Sequence, residues 1–151
     1  MSGLTELRHL ARRFVGSLSR RPPPAADLEW VTGQLSEAER TLWLQFGAPD
    51  QRHSIEVARR FVELRPDATR EEIAGALLHD IGKLDSGLGT IRRVVATVVG
   101  PRTDRFRRYH DHERIGGEWL ASLGSDPVTV ALVAGTAETS AATALAAADA
   151  R

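Results

Sequence analysis

Two side chains able to bind a metal ion stand next to each other at His79-Asp80, where the apolar run Ala74 to Leu78 gives way to Ile81-Gly82-Lys83. Neighbours inside a helix point about 100° apart and do not normally share a ligand, but at the C-terminal end of a helix the turning chain brings both onto one ion. An imidazole with a carboxylate is a borderline-to-hard donor set, suited to Mn, Fe, Co, Ni, Zn or Mg. The chain has no cysteine, which removes disulfides, thiolate zinc sites and a cysteine nucleophile together, so any metal must be held by His and carboxylate. A charged pair buried behind Leu77-Leu78 is costly without an ion or a partner. Of the five histidines, His53, His79 and His112 fall on or at the ends of expected helices, whereas His9 and His110 read as ordinary capping or packing residues. Lys83 stands out as the single lysine among 20 basic residues, the rest being Arg.

Helices must position these groups, because the apolar spacing is helical throughout and no segment alternates like a strand for more than a few residues. A first helix is expected to run to about Arg20, with apolar positions Leu4, Leu7, Ala11, Phe14, Val15 and Leu18, before Pro22-Pro23-Pro24 forms a stiff connector. The prolines divide the chain into an N-terminal extension, residues 1–24, and a helical body, residues 25–151. In the body a short helix around Leu28–Leu35 is followed by one that Ser36 and Glu39 open as a capping box and that ends near Gly47. Asp50 is expected to cap a helix that carries Ile55, Ala58, Phe61, Val62 and Leu64 and that Pro66 ends. Thr69 and Glu72 make a second capping box, opening the helix that leads to His79-Asp80. Gly82, Gly87 and Gly89 mark a loop, a helix follows over Ile91–Val99, and three more run from about Asp111, from Asp126-Pro127 and through the Ala-rich stretch containing Asp149.

Length and composition bound the function. At 151 residues, 42% hydrophobic and 26% charged, the chain is expected to form one folded domain with one core. Twenty basic and twenty acidic residues cancel, which argues against nucleic acid or an anionic membrane as the main partner. The aliphatic runs are far shorter than the roughly 20 residues of a membrane helix. Leu4–Arg21 holds five Arg against Glu6 alone, a balance also found in transit peptides; its helical spacing favours a helix docked on the core, and a cytoplasmic location is expected.

The series His53, His79-Asp80 and Asp149 resembles the HD-domain superfamily of metal-dependent phosphohydrolases, whose signature is H…HD…D on a helical bundle. RHSIEVARRF around His53, AGALLHDIGKLDS around the pair, HERIGGEWL after His112 and ALAAADA around Asp149 carry the resemblance, over roughly Asp50 to Arg151. It implies an HD-type bundle in which His53, His79, Asp80 and Asp149 hold one divalent ion. It also implies that Lys83 lies near the phosphate of a small phosphorylated substrate, a nucleotide above all, hydrolysed through a metal-activated water, and that His112 contacts that phosphate or binds a second metal. Glu138 is the substitute considered for Asp149.

Binuclear members carry a further His, or His-His, where this chain reads VTVALVAGTAETS, and that absence argues for a single ion and against the di-iron oxygenase branch. Arg92, Arg93, Arg102, Arg105, Arg107 and Arg108, against Asp104 alone between Ile91 and Tyr109, form either a solvated face or forks for further phosphates, with Arg92 and Arg93 the substrate-binding candidates. The alternative to an enzyme is a degenerate HD domain that binds a nucleotide or protein without turnover. An RNA-binding module using the arginine segment ranks third, because net charge is zero and stacking aromatics are few.

Overall fold

The computed structural model describes residues 20–87 and 112–151, and among them every regular element is helical. In chain order these are α1 (Ala25–Gln34), α2 (Glu37–Trp43), α3 (Ala48–Leu64), α4 (Arg70–Leu78), a 3-10 helix (Ile81–Gly87), α5 (His112–Ser122), α6 (Pro127–Ala134) and α7 (Ser140–Asp149). The all-α class is therefore observed. The expected helix before Arg20, the Ile91–Val99 helix and the arginine segment with Arg92 and Arg93 lie outside the described residues.

Local chemistry sets most boundaries. In α2 the Ser36 hydroxyl accepts the Glu39 N–H at 3.1 Å while the Glu39 carboxylate accepts the Ser36 N–H at 2.8 Å. Thr69 and Glu72 repeat this reciprocal pair at the start of α4, at 3.2 and 2.9 Å. Each box satisfies two otherwise orphaned donors of a helix start. Asp126 and Thr139 cap α6 and α7 through Val128 N–H and Ala142 N–H.

Several boundaries differ from expectation: α1 begins at Ala25 rather than near Leu28, and α2 ends at Trp43 rather than near Gly47. α3 begins at Ala48 after the extended residue Gly47, so Asp50 is a first-turn acid rather than the cap. Pro49 explains the shift, since proline is favoured in a first turn, where its missing N–H has no partner to lose. The stretch after Asp80 continues as a 3-10 helix, beginning with the Lys83 N–H bonded to the Asp80 carbonyl at 3.0 Å.

α4 is the central element. Ala74, Gly75, Ala76, Leu77 and Leu78 are all buried, so the helix is apolar on every side, with α1, α3 and α6 packed around it. Gly75 permits the close approach of α6: a Cβ there would meet the Leu132 side chain at 2.9 Å. α7 lays Ala141, Leu145 and Ala148, an i, i+4, i+7 stripe, on α3. On the other flank of α3, Trp43 Nε1 donates to Ser54 Oγ at 2.9 Å, and Ser54 Oγ donates to the Gln51 carbonyl at 2.9 Å. This buried relay locks α2 onto the turn of α3 that carries His53. The connector also touches the body, with Pro23 buried and the Arg52 guanidinium donating to the Arg21 carbonyl. No helix among the described residues is long and apolar enough to cross a membrane.

Candidate metal centre

Helix termini gather at one end of the bundle. His53 lies in the second turn of α3, His79 is the C-cap of α4 with Asp80 directly after it, and Asp149 is the last residue of α7. Separated by up to 96 positions in the chain, one donor atom from each lies within 4.8 Å of the others. His79 Nε2 is 3.2 Å from Asp149 Oδ1 and 3.4 Å from Asp80 Oδ2. His53 Nε2 is 3.5 Å from the same Asp149 oxygen and 3.9 Å from the same Asp80 oxygen. The imidazole centroids are 6.2 Å apart and tilted by 52°, so the two rings do not stack, while both Nε2 atoms approach the same two carboxylate oxygens.

The donor set fits a cation. His79 Nδ1 lies 2.8 Å from the Ala76 carbonyl, which can only accept, so Nδ1 carries the proton and Nε2 faces the carboxylates. That arrangement, with one ring nitrogen tied to a main-chain carbonyl and the other turned to the ligand point, is the usual support of a metal-binding histidine. A neutral Nε2 would set its lone pair against two anions, which is favourable only with a proton or a metal ion between them. Two helices, α4 and α7, also end at this point, and their C-terminal dipole ends add partial negative charge. Two imidazoles with two carboxylates form a mixed N/O set that accepts Mn, Fe, Co, Ni, Zn or Mg. The group His53, His79, Asp80 and Asp149 could therefore hold a metal ion.

The remaining sequence candidates divide. Lys83 Nζ reaches Asp80 Oδ2 at 3.0 Å, the oxygen that faces both histidines, and His112 Nε2 is 4.0 Å from Asp80 Oδ1. Arg92 and Arg93 lie outside the described residues, as does His110. Glu138 is exposed between α6 and α7 and is not part of the cluster, whereas Asp149 is. The Ala76 carbonyl was not singled out from sequence, because main-chain groups carry no signature; its position three residues before a C-capping histidine is the only clue.

Electrostatics tie His79 to Asp149. Burial, the largest influence on His79, disfavours its charged form, yet the Asp149 hydrogen bond and the Asp80 charge outweigh it and raise the pKa above the usual 6.5. The His79 hydrogen bond, against partial burial, lowers Asp149 to about 2. His79 therefore stabilises the metal-free fold fully below pH 6.5 and loses that contribution as pH rises through its raised value. Asp149 contributes fully above 3.8 and loses its contribution as pH falls towards about 2. Thermal melts of metal-free protein should show this pair's contribution at its largest between these limits. In Co²⁺ titrations, affinity should fall about tenfold per pH unit below the His79 pKa, because a proton then competes for Nε2.

Comparison of the chain with family models, curated proteins and solved structures gives no match.

Proposed function

We propose that the chain is a metal-dependent phosphohydrolase of HD-domain type, acting on a nucleotide or another small phosphoester with one divalent ion per chain. The observation that carries this reading is the convergence of His53, His79, Asp80 and Asp149, with Lys83 and His112 flanking Asp80 on its two oxygens. The four clustered side chains would hold the ion. Such an ion polarises a phosphoryl oxygen and acidifies water. One ion accords with the His-free stretch Val128 to Ser140, which leaves a second without imidazole donors from that part of the chain.

The protein's own groups do the rest. The Ala76 carbonyl holds the His79 ring so that Nε2 stays on target. Lys83 has a side chain 56% exposed, so its ammonium stands at the solvent side of Asp80, where an incoming phosphate arrives. His112 offers a half-buried imidazole from the first turn of α5. Together they neutralise charge that grows on phosphoryl oxygens, an interaction that strengthens as the reaction proceeds. Arg92 and Arg93 would extend this recognition to further phosphates.

The test is to strip the protein, reload it with Mn, Fe, Co, Ni, Zn or Mg in turn, and assay phosphomonoesters, phosphodiesters and nucleotides. Turnover is expected with at least one pair of ion and substrate. Lys83→Ala and His112→Ala should each retain the ion and lose roughly 10²- to 10³-fold in kcat, the scale of a lost oxyanion donor. Unchanged rates would remove both residues from the mechanism. Nucleotide binding without turnover across the panel would favour the binding-only alternative.

A further inference from the structure

Asp149 poses a mechanical question. It is the last residue of α7, its side chain is 43% exposed, and helix ends fray unless something holds them. Its carboxylate meets His79 and His53, the very groups against which it has to be placed. Its placement therefore comes from the α7 main chain, which the buried Ala148 anchors one residue earlier and which still needs holding beyond Asp149.

α3 supplies a holder. Arg60 follows His53 by seven residues, close to two turns, so the two lie on one face of α3 about 10 Å apart along the axis. Helical side chains lean towards the N-terminal end of their helix, which carries the Arg60 guanidinium back towards His53. There Arg60 Nη1 donates to the main-chain carbonyl of Arg151 at 2.9 Å. The Ala150 N–H still bonds the Ala146 carbonyl at 3.1 Å, so the last turn runs on through Ala150, and the held carbonyl belongs to the residue directly after it. Among the described residues Arg60 Nε is buried without a hydrogen-bond partner, a cost that a side chain swung into water would escape. At the other end of α7, Arg65 Nη1 donates to Ser140 Oγ at 2.8 Å while its Nε is fixed by Glu72 at 2.9 Å. Arginines thus hold α7 at both ends.

We propose that Arg60 is a positioning residue for the metal centre: by holding the Arg151 carbonyl it fixes the last turn of α7 and, through it, the Asp149 carboxylate. The consequence for metal affinity rests on the metal reading above; the placement of Asp149 does not.

Co²⁺ titration of wild type, Arg60→Met, Arg60→Lys, Arg59→Met and Asp149→Asn tests the affinity, and nitrogen NMR of the His79 imidazole in metal-free protein tests the placement. Arg60→Met should weaken Co²⁺ by about 10-fold, the lower end of the effect of outer-shell partners. The absorption of bound Co²⁺ and the metal-free His79 resonances should both move towards those of Asp149→Asn. Arg60→Lys, which keeps a donor, should recover most of the affinity. Arg59→Met removes a charge from the same helix but one engaged with Trp30 and Asp27, and should change neither readout. Wild-type affinity and wild-type His79 resonances in Arg60→Met would overturn the proposal. If the wild-type protein binds no Co²⁺, the metal reading fails and the metal-free His79 resonances alone decide on Arg60. If Arg60→Met does not fold, Arg60→Gln is read in the same two ways.

Discussion

Asp80→Ala is expected to abolish tight divalent-metal binding while leaving the helical content intact. Asp80 Oδ2 is shared by His79 at 3.4 Å, His53 at 3.9 Å and Lys83 at 3.0 Å, and its other oxygen faces His112. Truncation removes a donor and also leaves the Lys83 ammonium beside two imidazoles, a cation facing the point where the ion would bind. Outer-shell substitutions alone weaken metal sites by about 10–100-fold, so loss of this shared ligand should raise the Kd by roughly 10³-fold or more. Calorimetric titration with Co²⁺ or Mn²⁺ measures it, with far-UV circular dichroism as the control for folding. Asp80→Asn, which keeps the shape and loses the charge, should fall between the two. Wild-type affinity in Asp80→Ala would exclude Asp80 as a ligand.

Gly82→Ala should cost the fold about 3 kcal/mol, at the upper end for overpacking. A Cβ at Gly82 would lie 1.7 Å from the His112 carbonyl oxygen and 2.9 Å from the Gly116 nitrogen. Both obstacles are main chain, so no side-chain rotation relieves them, and the 3-10 helix must move away from α5. For a chain of this length, that destabilisation lowers Tm by roughly 6–12 °C. The movement also carries His112 away from Asp80, so any turnover of the proposed hydrolase should lose the contribution assigned to His112 together with stability. Equilibrium urea unfolding tests the prediction; an unchanged midpoint would show that the Gly82 contact with α5 is not kept in solution.

What could be read from the sequence was what neighbours in the chain decide. The two capping boxes and the helix start at Asp126-Pro127 follow from side chains three or fewer residues from the groups they serve. The pair His79-Asp80 was legible for the same reason, since a C-cap places both residues at one helix end. Asp50 was misread as a cap because Gly47 and Pro49 start α3 one turn earlier, and a glycine cap leaves no side-chain signature. Gly82 read as loop punctuation, whereas its reason is the main chain of residue 112, thirty positions away. His53 and Asp149 could be linked to the pair only through resemblance, because their convergence depends on α3 packing against α4 and α7 packing against α3. Arg60 had no signal at all in a chain where 19 of 20 basic residues are Arg.

Crystals of metal-free protein soaked in Mn²⁺ and measured for anomalous scattering test the metal centre most directly. The expected result is one peak per chain within bonding distance, about 2.0–2.3 Å, of both imidazole Nε2 atoms and of one oxygen each from Asp80 and Asp149. Two fully occupied peaks would contradict the single ion. A peak away from His53 and His79, or none at saturating Mn²⁺, would contradict the centre itself.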